Sequence, residues 1–433
     1  MTIATYRDAF AAFSNNGGGA GPAWLPALRR RAFDTFTALG FPSTRDEDWH
    51  YTSVAPIAEK QFTLAPAGGA AKFSAGTVHR AGDNTLVFMN GRFSRDASSF
   101  ASLPAEVEIA TLSAMVSSDP DFVQANLASL ASFERSAFTA LNTAFAADGV
   151  VVRIPADVVV DEPLHIFWVA DSSANGAMLS PRLLVDVGAN SRLTIVQYFS
   201  GVDGTPYFTN AVSEVRVGDG ARVEFCNVQQ ESTDAFHVST VQAIQGRDAS
   251  LHAFSFAAGA RLSRANVYTT LSQPGGEARL NGLYLLRGRQ HCDHQTFVHH
   301  AAESCASREL YKGILDDESH GVFNGKVLVD PIAQKTDGKQ TNHALLLSER
   351  AKVDTKPQLE IFADDVKCTH GATVGRLDEH TQFYLKSRGL SREAARALLT
   401  YAFAAEVLGT LEVEPVRESL QTLAFERYNA RES

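Results

Sequence analysis

A cysteine and a histidine stand one residue apart in the segment ADDVKCTHGATVG, residues 363–375. Thiolate and imidazole are both good ligands for iron, zinc and copper. In an extended segment, Cys368 and His370 point to the same face, because side chains alternate along a strand. They could contribute two ligands to one metal site. Two ligands do not close such a site, so the others must come from elsewhere in the chain or from a partner.

Two other interpretations of this pair stay open. Cys368 and His370 could form a nucleophile with its base, although no oxyanion-hole signature accompanies them. Alternatively, Cys368 is a small buried residue and His370 a surface residue, both at the end of the last β segment. The spacing alone favours this structural interpretation.

A second group of potential ligands lies in HCDHQTFVHH, residues 291–300. The segment matches no recurrent zinc spacing. His294 and His300 are an even number of residues apart, so they would share one face of a strand. We expect these side chains to be polar groups that face solvent along a β face, and a transient metal site is the weaker alternative.

Two pairs of acids suggest a different function. They are Asp316, Asp317, Asp364 and Asp365. β-Helical enzymes that act on polysaccharides use carboxylate clusters on one face of the solenoid. Aspartate is also common at tight corners, which is the structural alternative.

The middle of the chain repeats in a way that predicts a solenoid. Residues 185–198 resemble residues 215–228 and 243–256, and each copy reads as strand, tight corner, strand. A small or polar corner recurs about every 30 residues, at Ser191, Ala221 and Ala249. No helix-length pattern interrupts the strands, so a parallel β-helix fits best. A large β-sandwich built from hairpins is the competing all-β fold.

Helical patterns flank this β region. Residues 24–40 and 132–149 have helical spacing on the N-terminal side, and residues 377–389, 391–411 and 413–430 on the C-terminal side. The sequence therefore predicts a mainly β protein with three parts. These are a mixed, largely helical region (1–149), a parallel β-helix core (150–376) and a C-terminal helical domain (377–433).

Composition excludes several classes of function. The 433 residues carry a net charge of -10, which argues against nucleic acid or an anionic membrane as a partner. The four cysteines form no CxxC pair, which favours a reducing, cytoplasmic location. The N-terminal residues show neither a signal peptide nor a membrane span. GxxxxGK[ST] and GxGxxG loops are absent, so we expect no nucleotide hydrolysis by this chain.

Three segments resemble one known family. TRDEDWHYTSV (44–54), DHQTFVHHAAESCASRELYKGIL (293–315) and the long block from Gly325 to Leu390 are similar to signatures of the SufD family, subunits of the SUF iron–sulfur cluster assembly machinery. The related SufB subunit usually has a glutamate directly after the histidine of the last block, where this chain has Gly371. SufB also often carries an N-terminal CxxCxxxC, which this sequence lacks.

The resemblance implies a fold and a set of partners. The expected fold is a right-handed parallel β-helix between an N-terminal helical region and a C-terminal helical domain. The chain would be a non-catalytic scaffold subunit that supports de novo cluster building, including iron acquisition. It would contact a SufB-like subunit through the late β-helix and a SufC-like ATPase through residues 377–430, and the isolated chain could form a homodimer.

The resemblance also gives the CTH segment a role. The family residue that corresponds to His370 lies at the SufB–SufD interface and acts with a SufB cysteine on the nascent cluster. His370 is then a metal ligand shared with the partner, and Cys368 assists it or packs beside it. No cofactor is expected to bind stably to this chain alone, only transient iron or a nascent cluster at the interface. The alternatives are a β-helical carbohydrate-active enzyme and a structural platform without a metal ligand.

Overall fold

A computed structural model describes residues 2–15, 21–65, 84–100 and 103–429. The helices lie at the two ends of the chain, as the helical patterns predict. On the N-terminal side they are α1 (Thr2–Phe13), α2 (Trp24–Leu39), α3 (Ala55–Ala58), α4 (Leu112–Ser118), α5 (Pro120–Asn126) and α6 (Ala137–Phe145). On the C-terminal side they are α7 (Glu379–Ser387), α8 (Arg392–Leu408) and α9 (Glu414–Asn429).

The strands build the middle of the molecule. The first of them are β1 (Thr63–Leu64), β2 (Thr85–Met89), β3 (Arg92–Phe93), β4 (Glu108–Thr111), β5 (Val150–Ile154), β6 (Leu164–Ala170), β7 (Ala177–Leu179), β8 (Arg182–Val187) and β9 (Arg192–Gly201). The longer ones follow as β10 (Phe208–Val217), β11 (Arg222–Gln230), β12 (Phe236–Gln245), β13 (Ser250–Ala257), β14 (Leu262–Leu271), β15 (Glu277–Leu286), β16 (His291–His300), β17 (Ala306–Leu315), β18 (His320–Val329), β19 (Asp337–Leu346), β20 (Lys352–Ile361) and β21 (Lys367–Gly375).

From β5 onward these strands form a β-solenoid of about eight turns. Even-numbered strands from β8 to β20 pair in parallel in one sheet, and odd-numbered strands from β9 to β21 pair in parallel in a second sheet. Each coil therefore contributes one strand to each sheet. The prediction of a parallel β-helix is confirmed, and the alternative of a hairpin sandwich is wrong.

The predicted corners occupy equivalent positions in successive coils. The backbone enters the left-handed region at Asn190 (φ 58°), Gly220 (φ 67°) and Asp248 (φ 52°), each directly before one of the corner residues named above. Asn, Gly and Asp tolerate this conformation better than other residues do. Because Arg192 pairs with Arg222 and Arg222 pairs with Ser250, the corners stack on one another from coil to coil.

The core lies inside the solenoid. Along the second sheet, Leu193, Val223, Leu251 and Ala278 are register partners in successive coils, and all four are buried in one apolar cluster. Burying each large aliphatic side chain stabilises the fold by roughly 1.5–3 kcal/mol. In later coils, the rings of Tyr284 and Tyr311 fill the interior and lie against Gly313 and Gly282, respectively. A Cβ on Gly313 would lie 2.1 Å from the Cζ of Tyr284, so only glycine fits there.

Helices cover the outer faces of both sheets. Aromatic residues of α1, α2 and α6 pack with Phe208 and Phe236 on the first sheet. On the second sheet, α8 and α9 bury Val407, Leu408 and Val416 against it. The Nζ of Lys312 (β17) donates to the carbonyl oxygen of Phe403 at 3.0 Å and pairs with Glu406, which ties α8 to the solenoid.

The first described strands of the N-terminal region also join the sheets. β2 pairs in parallel with β6 and so extends the second sheet, while β4 pairs with β5 at the end of the first sheet. The division of the chain at residues 149/150 and 376/377 into domains stays a prediction.

Candidate functional site

The CTH segment lies on β21, the last strand of the second sheet. Among the described residues, β21 pairs with β19 alone, and Cys368 and His370 have Gly338 and Gln340 as register partners. β20 likewise ends the first sheet, where β18 is its one partner strand within the described ranges. In the described part of the chain, the last coil therefore leaves one edge of each sheet unpaired. An unpaired strand edge is a template for pairing with another chain.

Cys368 and His370 occupy the same side of β21, as their spacing predicts. The Cys368 side chain is half-buried and packs against the apolar cluster inside the solenoid, so this side faces the interior. Burial raises the pKa of the Cys368 thiol, which favours its protonated form. His370 is exposed at the open end, and its ring has no hydrogen bond within the described residues.

Beneath His370 the interior is polar. Gln340 and Glu309 precede it at the same register position in β19 and β17, and both are buried. The Gln340 Nε2 donates to Glu309 Oε1 at 3.2 Å, and the Thr296 hydroxyl donates to Glu309 Oε2 at 2.5 Å. Burial of the carboxyl raises the pKa of Glu309 to about 7, because desolvation outweighs the hydrogen bonds from Thr296 and Gln340, which lower it. This column is not predicted from the sequence. Its only sequence signal is that the three positions are about one solenoid period apart.

The histidine-rich segment 291–300 forms β16, and the expectation that its side chains face solvent is wrong for Cys292, His294 and His300. Cys292, His294 and His300 are each at most 1% exposed. They point into the solenoid, where Cys292 Sγ lies 3.6 Å from His294 Nδ1. Burial raises the pKa of the Cys292 thiol to about 12 and lowers the pKa of His294 to about 4, so both are neutral. Within the described residues, no three His, Cys, Asp or Glu side chains are placed to hold a metal ion.

The acid pairs do not form a catalytic cluster. Asp316 is buried and accepts a hydrogen bond from Arg396 at 2.9 Å, and Asp317 has the left-handed φ of a corner (57°). This corner joins β17 to β18, whereas Asp364 and Asp365 lie at the corner between β20 and β21. The two corners stand at opposite ends of strands about 30 Å long. The carboxylate arrangement that would support a polysaccharide-active site is therefore not formed by these residues.

The segment TRDEDWHYTSV fastens the N-terminal region to the first sheet. The Arg264 guanidinium lies 3.7 Å from the centre of the Trp49 ring and donates to the carbonyl oxygen of Asp48 at 2.6 Å. Arg264 also donates to Asp293 Oδ2 at 2.7 Å, and the Thr52 hydroxyl donates to the same oxygen at 2.6 Å. This motif is thus part of the architecture, and it links segments more than 200 residues apart in the chain.

A large cavity lies away from the CTH segment, between solenoid corners and the end of α9. Its volume is about 860 Å³. Its charged lining consists of four basic residues, Arg261, Arg287, Arg289 and Arg427, and four acidic residues, Asp203, Glu231, Asp234 and Asp317. The opposite charges are equal in number, so the lining indicates no particular class of ligand.

The C-terminal helices expose aromatic surface. Phe383 and Tyr384 on α7 are 72% and 56% exposed, and α7 contains no buried residue. Among the described residues, none of the helices combines the length and apolar character that crossing a bilayer requires.

Comparison with known proteins gives consistent matches along most of the chain. The family model for the SUF system FeS cluster assembly SufBD core domain matches residues 169–403, and the model for the SufBD protein N-terminal region matches residues 2–166. An iron–sulfur cluster assembly SufBD family protein of Synechocystis is 33% identical over 406 residues, which cover 91% of this chain and 89% of the relative. The iron–sulfur cluster assembly protein SufD of Escherichia coli is 30% identical over 388 residues, 88% of each chain. The protein of the same name from Bacillus subtilis is 31% identical over 291 residues, 65% of this chain and 64% of the relative.

Proposed function

This chain belongs to the SufBD family of iron–sulfur cluster assembly proteins, and we propose that it is the SufD-like scaffold subunit of a SUF complex. In this role it pairs with a SufB-like subunit and a SufC-like ATPase in the cytoplasm and supports de novo cluster building and iron acquisition. It performs no catalysis itself. The cluster is cargo that the complex builds and passes on.

The open end of the solenoid supports the contact with SufB. The unpaired edges of β20 and β21 can continue both sheets into another solenoid by strand addition. Apolar side chains stand exposed beside these edges, with Phe362 62% and Val374 48% exposed. Because exposed apolar residues at a sheet edge are an aggregation hazard, a partner that covers them stabilises the protein. The same surface would allow the isolated chain to form a homodimer.

The position of His370 is the observation that carries the metal-ligand role. Its imidazole is exposed on this open end, where it can give a nitrogen to iron while SufB supplies thiolate. Cys368 packs or assists, because its half-buried thiol favours the protonated form. Imidazole is a weaker donor to a cluster than thiolate. A mixed site holds the cluster less tightly, which suits a scaffold that must hand it on.

The C-terminal helices support the contact with SufC. Phe383 and Tyr384 offer exposed aromatic surface on α7, and the Lys312–Glu406 pair couples α8 to the solenoid. Closure of two SufC subunits would pull on these helices and shift the SufB interface, which exposes the assembly site.

The test is anaerobic co-expression of this chain with its SufB-like and SufC-like partners, followed by iron and sulfide analysis of the purified complex. We expect His370→Ala to keep the complex assembled and to lose the cluster. His50→Ala, at an exposed histidine of the N-terminal segment, is the matched control and should retain the cluster. Normal iron and sulfide in His370→Ala would reject the ligand role and leave a structural platform. Failure of the partners to co-purify with the unmodified chain would reject the SUF complex itself.

A further inference from the structure

His370 tops a column of side chains that face the interior of the solenoid. In the second sheet, Leu280, Glu309, Gln340 and His370 are register partners in successive coils. Leu280 belongs to the apolar cluster inside the solenoid, so this position faces inward in each coil. Neighbouring strands are about 4.8 Å apart, which brings the ends of such side chains within hydrogen-bond reach of each other.

Among the described residues, the side-chain nitrogen of Gln340 has a hydrogen-bond partner and its side-chain oxygen has none. Its side-chain nitrogen donates to Glu309 on the coil below, and its Oε1 is buried with no hydrogen-bond partner among the described residues. A buried acceptor without a partner costs about 1–3 kcal/mol, so its persistence needs an explanation. Since the nitrogen is held on the Glu309 side, the oxygen remains for the other side, where the neighbour on the column is His370.

The surroundings hold the amide in this orientation. The Thr296 hydroxyl fixes the Glu309 carboxylate from the first sheet. Gly325 on β18 leaves the space for the amide, because a Cβ there would lie 2.2 Å from Gln340 Nε2. The neighbouring interior amide, Asn342, differs from Gln340 in the residue that lies above it on β21. Asn342 also has a buried oxygen without a partner, but the residue above it on β21 is Ala372, which has no side-chain donor.

We propose that Gln340 is the positioning residue of His370: the exposed His370 side chain rotates to donate one ring N–H to the partnerless Gln340 Oε1, and this hydrogen bond presents the other ring nitrogen to the open end. A histidine that binds metal usually donates its second ring N–H to an oxygen acceptor, which fixes the tautomer and the ring orientation. The effect of this hydrogen bond on iron binding rests on the proposed function, whereas the hydrogen bond itself does not depend on that function.

The hydrogen bond is tested on the full-length chain alone, without metal or partner. Nitrogen-15 chemical shifts of the histidine rings report the tautomer, and the His370 signal is assigned by its loss in His370→Ala. We expect one dominant tautomer in the unmodified chain and a mixture of tautomers in Gln340→Met, which removes the oxygen acceptor. Gln197→Met removes an equally buried interior amide from a distant coil and should leave the His370 signal unchanged. A tautomer mixture in the unmodified chain, or an unchanged signal in folded Gln340→Met, would overturn the proposal.

The consequence for iron is measured separately in the co-purified complex. Loss of such an acceptor typically lowers metal affinity about 10–100-fold, so Gln340→Met should retain much less iron at equal complex yield, while Gln197→Met should retain it. If the tautomer changes but the iron content does not, the positioning stands and the ligand role of His370 fails. If iron is lost without a tautomer change, the positioning fails and the ligand role remains.

Discussion

Glu309 should make the stability of this protein depend on pH near neutrality. Its carboxyl is 3% exposed inside the solenoid, and its hydrogen-bond donors, Thr296 and Gln340, are both neutral. Burial raises its pKa from 4.5 to about 7. The informative change is Glu309→Gln, which keeps the shape and the hydrogen-bonding capacity of the side chain and removes the ionisation.

The magnitude follows from the two pKa values. Between about pH 4.5 and pH 7, the folded state holds a proton on Glu309 that the unfolded state has released, so the free energy of unfolding falls as the pH rises. A pKa difference of about 2.5, at about 1.36 kcal/mol per pKa unit, gives about 3 kcal/mol over this window. Above pH 7 the buried carboxylate exerts its full destabilising effect. Below pH 4.5 the glutamate is neutral in both states, and the substitution should have little effect.

The assay is urea unfolding of both proteins at about pH 5 and about pH 8. The stability advantage of Glu309→Gln should grow by up to about 3 kcal/mol between these conditions. Glu349→Gln, in the exposed corner between β19 and β20, serves as the control and should show no such growth. An advantage that is equal at both pH values, or that shrinks at the higher one, would refute the electrostatic reasoning.

Two further predictions concern packing. Trp49→Ala removes the cation–π contact with Arg264 on the first sheet, which is worth about 2 kcal/mol when desolvated. Amide hydrogen exchange in residues 44–54 should therefore become faster. Unchanged exchange would argue against the fastening role of this segment. Gly313→Ala should lower the free energy of unfolding by about 1–3 kcal/mol, since its Cβ would collide with Tyr284. Gly375→Ala, with no atom within 4 Å of the added Cβ, should be close to neutral, and equal effects of the two substitutions would contradict the packing argument.

The architecture could be predicted from the sequence because it depends on local patterns. The corner residues at Ser191, Ala221 and Ala249 recur at one period, and the left-handed residues before them impose the turns that stack the coils. Ser391 caps the N-terminus of α8, where its side chain accepts a hydrogen bond from the Ala394 N–H. The repeat period, the helix caps and the corner turns all depend on residues close together in the chain, so they can be predicted from a single sequence.

The candidate site could be predicted only in part. Two-residue spacing placed Cys368 and His370 on one side of a strand, but nothing local decided whether that side faces inward or outward. For the same reason, the sequence pattern does not predict that Cys292 and His294 are buried.

Local patterns along the chain are enough to predict a parallel solenoid between helical ends, with a Cys–His pair near the end of its last coil. The folded structure was needed to show that this end is unpaired among the described residues and that Glu309 and Gln340 lie beneath His370. It alone also brought Trp49 onto Arg264, over 200 residues away. Strand and corner formation depend on neighbours along the chain. The inward or outward direction of a side chain, and contacts between distant segments, depend instead on how the whole chain buries its apolar surface.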